Sequence, residues 1–412
     1  MAMTRRTFLT ATAAAAVALG ARPGNAFAIA PPTDPLGPLL GPDALGLRLP
    51  AGFTSRLIAT SGQMVGRSGY VWHTFPDGGA CFDTQNGGWI YVSNSELFGA
   101  DDGGVGAIRF DHRGRILDAY PILRGSSRNC AGGTTPWETW LSCEEREGGK
   151  IWECDPTGRR PAIDRPALGR FIHEAAAVDD DRGHVYLTED AADGRLYRFK
   201  PHRRGDLSSG TLAAARVIDD RVTWMQIPDP SAAITPTRHQ VPETTPFAGG
   251  EGIWWVDGAI TFVTKRDHKL WRLDTRTRRI EVFYDALSDM SNGVLGEPDN
   301  ITITHHGHVY VSEDQSDDQQ VVLIDRRGWA SPVVQLVGSP GSEVTGLAFN
   351  PRGNRMYISS QRGSVGGTGP GVTFEIRGPF PGRGYRHGHA GDADHGHGGH
   401  GSHGGGRPSG RD

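Results

Sequence analysis

One short pattern recurs along the chain at nearly constant spacing, and it limits the fold to a small set. A glycine turn precedes an aromatic or large residue, then a β-branched residue or leucine, then serine or threonine, then polar groups. The six copies are GGWIYVSNSE (87–96), PWETWLSCEE (136–145), RGHVYLTED (182–190), GAITFVTKR (258–266), HGHVYVSED (306–314) and GNRMYISSQR (353–362). Such runs, bounded by glycine turns, read as strands. Most copies lie about 46 to 50 residues apart. One interval is longer, and Thr223 to Phe247, rich in Pro and Thr, accounts for it as an inserted loop. Each copy leads into a further strand, such as Arg195 to Phe199 or Leu270 to Leu273. A period of this size with several strands per unit predicts an all-β fold, a six-bladed β-propeller. An irregular β-sandwich is the competing arrangement.

A second register accompanies the first. Upstream of each repeated strand another strand starts with a ligand-type residue: Asp77, Cys130, His173 with Glu174, Glu251, Glu297 with Asp299, and Glu343. In an antiparallel hairpin the start of one strand lies beside the end of the next. These residues and the acidic strand ends Glu96, Glu144, Glu189 and Glu313 therefore share one end of the structure. In a propeller the inner strands surround a channel, so the acids converge on the central axis. Cations there are the simplest compensation for so many carboxylates. Carboxylate oxygens suit calcium. Cys130, on the glycine turn Asn129-Cys-Ala-Gly-Gly133, changes the chemistry, because a thiolate suits iron, zinc or copper. A disulfide half or a small buried residue is the alternative for Cys130. Iron beside calcium would explain both ligand types. Such a cluster fits phosphoryl transfer, in which cations neutralise phosphate oxygens. Lys265, Arg362 and Arg128 are candidate positive groups on the phosphate side, against the plainer reading of rim charges.

Lysine occurs only at 150, 200, 265 and 269 of the 412 residues, so Lys265 stands out in an arginine-using chain. The formal net charge is −4. Setting aside Arg5, Arg6 and Arg22 of the leader brings it to about −7, which argues against nucleic acid as a partner. Residues 1–28 read as a twin-arginine signal: Thr4-Arg5-Arg6-Thr7-Phe8-Leu9, a short apolar run to Leu19, and a small-x-small site at Ala26-Phe27-Ala28. The run is too short for a membrane anchor. The expected partner is the twin-arginine translocation machinery, and the expected location is secreted, periplasmic or on the cell surface. Residues 29–75 form a Pro-rich leader and first strands, and 76–381 the propeller. Residues 382–412 are a Gly/His tail with His387, His389, His395, His397, His400 and His403, which cannot bury a core. Metal capture and a merely solubilising role are equal readings of it. The four cysteines (81, 130, 143 and 154) allow three pairings. Cys143 with Cys154 across a hairpin is one option that the sequence leaves open.

From about Pro76 to Phe380 the chain resembles the PhoX-type alkaline phosphatase family. The resemblance rests on Asn129-Cys-Ala-Gly-Gly133, Thr135-Pro-Trp137, Trp140 to Glu145, His173-Glu174, Thr188-Glu-Asp190, Phe262-Val-Thr-Lys265, Pro298-Asp-Asn300 and Glu343-Val-Thr-Gly346. Asn94-Ser-Glu96 stands where Asn-His-Glu is usual in the family, and Ser360-Gln-Arg362 replaces Gln-His-Pro. The resemblance implies an exported propeller with an iron-calcium cluster on its axis that hydrolyses small phosphomonoesters. Carried onto this chain, it implies Cys130 as an iron ligand. It implies Glu96, Glu144, Glu174, Glu251, Asp299 and Glu343 as further metal ligands, and Lys265 as a phosphate-side cation. A monomer is expected. A non-catalytic calcium-binding propeller and a lactonase-type propeller hydrolase are the competing functions.

Overall fold

The computed structural model describes residues 36–99, 102–288, 291–304, 306–314, 319–363 and 369–381. The signal segment and the Gly/His tail lie outside the described residues. Almost all regular structure is β, in six antiparallel sheets of four or five strands. Blade 1 is Pro76–Asp83, Trp89–Ser95, Gly103–Phe110 and Ile116–Ser126. Blade 2 is Asn129–Thr134, Trp140–Glu144, Ile151–Cys154 and Ile163–Asp164. Blade 3 is His173–Val178, Val185–Glu189, Tyr197–Arg203, Asp206–Ile218 and Arg221–Gln226. Blade 4 is Gly250–Val256, Ala259–Thr264, Lys269–Asp274 and Ile280–Asp285. Blade 5 is Pro298–Ile303, Val309–Glu313, Gln320–Ile324 and Ala330–Leu336, with Leu47–Arg48 added at its edge. Blade 6 is Val344–Phe349, Arg355–Ser360 and Val372–Arg377, completed by Thr54–Thr60. The first strand of each blade packs on the first strands of its two neighbours, and Val344–Phe349 meets Pro76–Asp83 to close the ring. The fold is the expected six-bladed β-propeller.

Each blade is sandwiched between two others, so both of its faces are apolar. Trp89–Ser95 and Val185–Glu189 are accordingly buried at every position instead of alternating with solvent. Six apolar clusters fill the six gaps. Ala80, Phe82 and Val92 meet Trp140 and Cys154 between blades 1 and 2. Leu141, Cys143 and Ile151 meet Ala176 and Val185 between blades 2 and 3. Ile253 and Phe262 meet Tyr186 in the next gap, and Val263 meets Val311 in the one after. Tyr310 and Val321 meet Met356 and Phe374, and Tyr357 meets Trp89 and Tyr91 to complete the circle.

This arrangement decides the cysteine question. Cys143 lies opposite Ile151 and Cys154 opposite Trp140. The two thiols face different gaps of blade 2, so the optional Cys143–Cys154 bridge is not formed. All four cysteines are free. The expected insertion is also shorter than the Pro/Thr-rich stretch suggested, because Arg221–Gln226 is a fifth strand of blade 3 paired with Asp206–Ile218. The loop proper follows it, and its Arg238 ties it down through Glu147 (2.8 Å) and Glu189 (3.1 Å). No helix among the described residues is long and apolar enough to cross a membrane.

Candidate metal centre

The inner strand of every blade carries a register shift near its start. It falls between Pro76 and Gly79, Asn129 and Gly132, His173 and Ala176, Gly250 and Ile253, Pro298 and Ile301, and Thr345 and Ala348. A β-bulge leaves one residue outside the ladder and re-aims its side chain. In five blades the bulge contains the ligand-type residue itself: Asp77, Cys130, Glu174, Glu251 or Asp299. In blade 6 the bulge falls at Gly346 and Leu347, and Glu343 stands just ahead of the strand.

The bulges bring neighbouring backbones very close, and in blades 1 to 4 the residue after the ligand-type group is correspondingly small: Gly78, Ala131, Ala175 and Gly252. A Cβ on Gly78 would lie 2.6 Å from the Ala131 Cα and 2.8 Å from the Cys130 carbonyl oxygen. A Cβ on Gly252 would lie 2.9 Å from the Asp299 carbonyl oxygen. Hydroxyl and amide groups of the second strands, and of the inner strand in blade 6, then pin the bulged backbone. Asn94 Nδ2 donates to the carbonyls of Cys130 (2.9 Å) and Ala131 (2.8 Å), while its Oδ1 accepts from Trp140 Nε1 and Ser142 Oγ, both at 2.9 Å. Thr188 Oγ1 donates to the Glu251 carbonyl at 2.6 Å, and Thr345 Oγ1 to the Pro76 carbonyl at 2.8 Å. Ser142 and Thr188, two of the recurring Ser/Thr of the sequence pattern, therefore work as blade-to-blade ties.

A second set of side chains comes from the residue just beyond the second strand. Here the structure corrects the sequence reading by one position. Glu144 is buried but turned away: it accepts from Arg146 Nη2 (2.9 Å), the Lys150 N–H (3.2 Å) and Trp152 Nε1 (2.9 Å). Glu189 is likewise taken up by Tyr197 Oη (2.8 Å) and Arg238, and Glu313 by the Gly296 N–H. Side chains alternate along a strand, so a slip of one residue reverses their direction. The group that reaches the cluster from blade 2 is Glu145, not Glu144. The matching residues are Glu96, Asp190, Lys265 and Asp314. Gln361 serves blade 6, where its Nε2 donates to Asp77 (2.6 Å) and Glu96 (2.7 Å).

Among the described residues, three groups each bring potential ligand atoms within 4.8 Å of one another: Cys130, Glu145 and Glu174; Asp77, Glu96 and Glu343; and Glu174, Glu251 and Asp299. All six blades contribute, and Glu174 belongs to two groups. Of the ligands expected from sequence, Cys130, Glu96, Glu174, Glu251, Asp299 and Glu343 are thus brought together, and Glu144 is not. Two of the three candidate cations stand beside the cluster. Lys265 Nζ lies 2.5 Å from Asp314 and 3.9 Å from Glu251, and Arg362 Nη2 lies 3.0 Å from Glu343. Arg128 instead stacks over Phe98, 4.9 Å from the ring centre.

The electrostatics show what this constellation lacks. Burial, and then the charges of Glu96 and Glu343, hold the Asp77 carboxyl well above its usual range. Burial and Glu251 do the same to Glu174, and burial raises Glu251 and Glu343. Glu145 is pushed up to about 9 by burial and by Glu96 and Asp190. Asp299 is raised to about 6, mainly by burial. Burial and the Asp77 charge raise the Cys130 thiol, whose Sγ lies 3.2 Å from Glu174. Lys265 is raised because Glu251, Asp299 and Asp314 outweigh its own burial. One Glu251 oxygen is buried with no hydrogen-bond partner. Carboxylates and a thiol crowded this way cannot all ionise together without cations. The donor set, oxygen-rich with one sulfur, fits hard cations together with a softer metal.

The protein is thus a six-bladed propeller that gathers acids, a thiol and two rim cations, candidate metal-binding groups, at one end. The comparisons narrow this further. The sequence profile of the alkaline phosphatase PhoX family matches residues 113–363. The chain belongs to that family and is, by class, a phosphoric monoester hydrolase. The structure of Pseudomonas fluorescens PhoX in complex with vanadate, a transition-state analogue, is similar at a TM-score of 0.71 and 17% identity, covering 85% of this chain and 99% of that one. A Bacteroides thetaiotaomicron protein of unknown function is similar at a TM-score of 0.51 and 10% identity, covering 79% and 76%. No curated protein sequence matches the chain.

Proposed function

We propose that the chain is an exported phosphomonoesterase whose axial cluster holds iron and calcium. The observation that carries this reading is the single thiol, Cys130, set 3.2 Å from Glu174 among carboxylates that burial and mutual repulsion would otherwise keep protonated. Cys130, Glu145 and Glu174 would hold iron. Asp77, Glu96 and Glu343, and Glu251 with Asp299, would hold calcium. When bound, such cations neutralise phosphate oxygens, polarise phosphorus and acidify water.

The chain's own residues supply the rest. Lys265 and Arg362 keep positive charge at the rim, and each side chain is 28% exposed, so both face an arriving anion. Each also sits against a carboxylate of the cluster, Glu251 for Lys265 and Glu343 for Arg362, and opposes the rise that burial imposes on it. Gln361 bridges Asp77 and Glu96, fixing two acids of one group in place. Asn94 fixes the Cys130 backbone, so the thiol is oriented before any cation arrives. Preorganisation of this kind is what electrostatic catalysis requires.

The test is elemental analysis of protein recovered from the exported fraction, beside hydrolysis of nitrophenyl phosphate with and without EGTA. Iron and calcium should both be present, and Cys130→Ser should lose iron and activity together. Retention of both in Cys130→Ser would make the cysteine structural and overturn the assignment. Hydrolysis of a lactone but not of the phosphate ester would favour the competing hydrolase. Recovery from the exported fraction checks the route read from Arg5 and Arg6.

A further inference from the structure

The end of the propeller opposite the carboxylates carries a second concentration of charge, of the other sign. The inner strands start at the acidic end. About six residues of strand, near 3.3 Å each, separate the two ends by roughly 20 Å. There the turn after Gly103–Phe110 in blade 1 faces the turn after Val344–Phe349 in blade 6. Between them lies a cavity of about 300 Å³ lined by Arg113, Arg352, Arg355 and Arg377, with His112 and Asn354. No carboxylate is among its lining residues.

One of these arginines is fixed. The Arg355 side chain is 13% exposed and pairs with Glu375 through Nη1. Its Nη2 donates to the Arg113 carbonyl at 3.0 Å, and its guanidinium carbon lies 5.8 Å from the centre of the Trp89 ring. Glu375 is already saturated, because it also takes Arg56 (2.8 Å) and Tyr357 Oη (2.8 Å). Among the described residues, Arg113, Arg352 and Arg377 have no carboxylate partner. The Arg352 Nη1 donates only to the His112 carbonyl, at 3.3 Å.

Like charges that share a cavity repel, and a bound counter-ion removes the penalty. Guanidinium forks match the geometry of phosphate oxygens and bind them bidentately. We propose that this cavity is a second oxyanion site, separate from the axial cluster, that takes a phosphate-class dianion. The source of that group is free phosphate or the phosphoryl end of a small ester. The volume leaves room beside the anion for a small organic group, and the Asn354 side chain supplies polar contacts to it.

The test is calorimetric titration of the purified, metal-loaded protein with inorganic phosphate, and separately with phenylphosphonate, at low salt. Phenylphosphonate stands in for an ester without being hydrolysed. The expected isotherm has two classes of site. Arg113→Gln/Arg352→Gln/Arg377→Gln should weaken one class at least tenfold while leaving kcat/KM unchanged, since none of the three touches the axial cluster. Tighter binding of phenylphosphonate than of phosphate at that class supports the ester as the source, and the reverse order supports the free ion. All three arginines are exposed, so the variant should melt with the wild type. The Cys130→Ser protein should keep the arginine class whatever happens to its activity, which separates this inference from the phosphatase reading. An isotherm unchanged in the triple variant, or a wild type whose only class disappears in Cys130→Ser, would overturn it.

Discussion

The one-residue phase between Glu144 and Glu145 makes the sharpest prediction, because adjacent and chemically identical residues should respond in opposite ways. Glu145→Gln removes a carboxyl that burial, Glu96 and Asp190 push up to about 9. The sign follows from linkage. An acid whose folded pKa is raised costs nothing below its unfolded value, near 4.5, and costs more as pH rises toward the folded value. At pH 7 the metal-free protein therefore carries a penalty of about 3 kcal/mol, at 1.36 kcal/mol for each unit above 4.5. Glu145→Gln should relieve most of that penalty at pH 7 and almost none at pH 4.5. Glu144→Gln does the reverse. It turns an amide toward Arg146, the Lys150 N–H or Trp152 Nε1, all of which now donate to its carboxylate. The loss should be about 2 kcal/mol, since a buried donor without an acceptor costs about 1–3 kcal/mol. The assay is metal content by mass spectrometry together with unfolding of metal-stripped protein across pH 4.5–8. Glu145→Gln should lose metal yet be the more stable stripped protein. Glu144→Gln should keep metal and unfold earlier. Loss of metal in Glu144→Gln alone would refute the phase assignment and the bulge argument beneath it.

Two further outcomes follow from the same contacts. Asn94→Ala strips four hydrogen bonds that join blade 1 to blade 2, two of them to the carbonyls of Cys130 and Ala131, and should cost about 3 kcal/mol or more in a thermal unfolding measurement. It should also lower iron content without touching a ligand, and an unchanged melting point would show that the tie is dispensable. Lys265→Met should reduce kcat/KM toward phosphate esters by about 10- to 100-fold, equivalent to 1.4–2.7 kcal/mol of transition-state stabilisation. Equal kcat/KM in the two proteins would reduce Lys265 to a neutraliser of Asp314 and Glu251.

The repeat was legible because blade geometry imposes a fixed period, and the placement of Asp77, Cys130, Glu174, Glu251, Asp299 and Glu343 at one end followed from hairpin connectivity. Three things were not legible, for physical reasons. A bulge adds one residue without a composition of its own, and the fully buried second strands lack the alternation that would have marked which of Glu144 and Glu145 points inward. The match of Lys265 to Glu145, Asp190 and Asp314 comes from the cross-strand register, in which Thr264, Glu144, Glu189 and Glu313 face the inner-strand starts Gly250, Asn129, His173 and Pro298; counting from the recurring Ser/Thr would have selected Cys143, Glu189 and Glu313 instead. Asn94, with four hydrogen bonds reaching into a neighbouring blade, is a long-range contact that local pattern cannot reveal. The separation of Cys143 and Cys154 depends on which gap each face of blade 2 meets. That is a property of the ring rather than of the hairpin.

The completion of blade 6 by Thr54–Thr60 also sets an order of events. This strand leaves the ribosome long before Val372–Arg377, with which it pairs. At about 5–20 residues per second, the intervening chain takes roughly 15–60 s to make. During that interval Thr54–Thr60 is an open template for any other strand, and every earlier blade waits in an unclosed arc. The last step is topological, a clasp that joins both ends of the chain. Loss of either partner should therefore leave an opened ring with two exposed edges, not a smaller propeller.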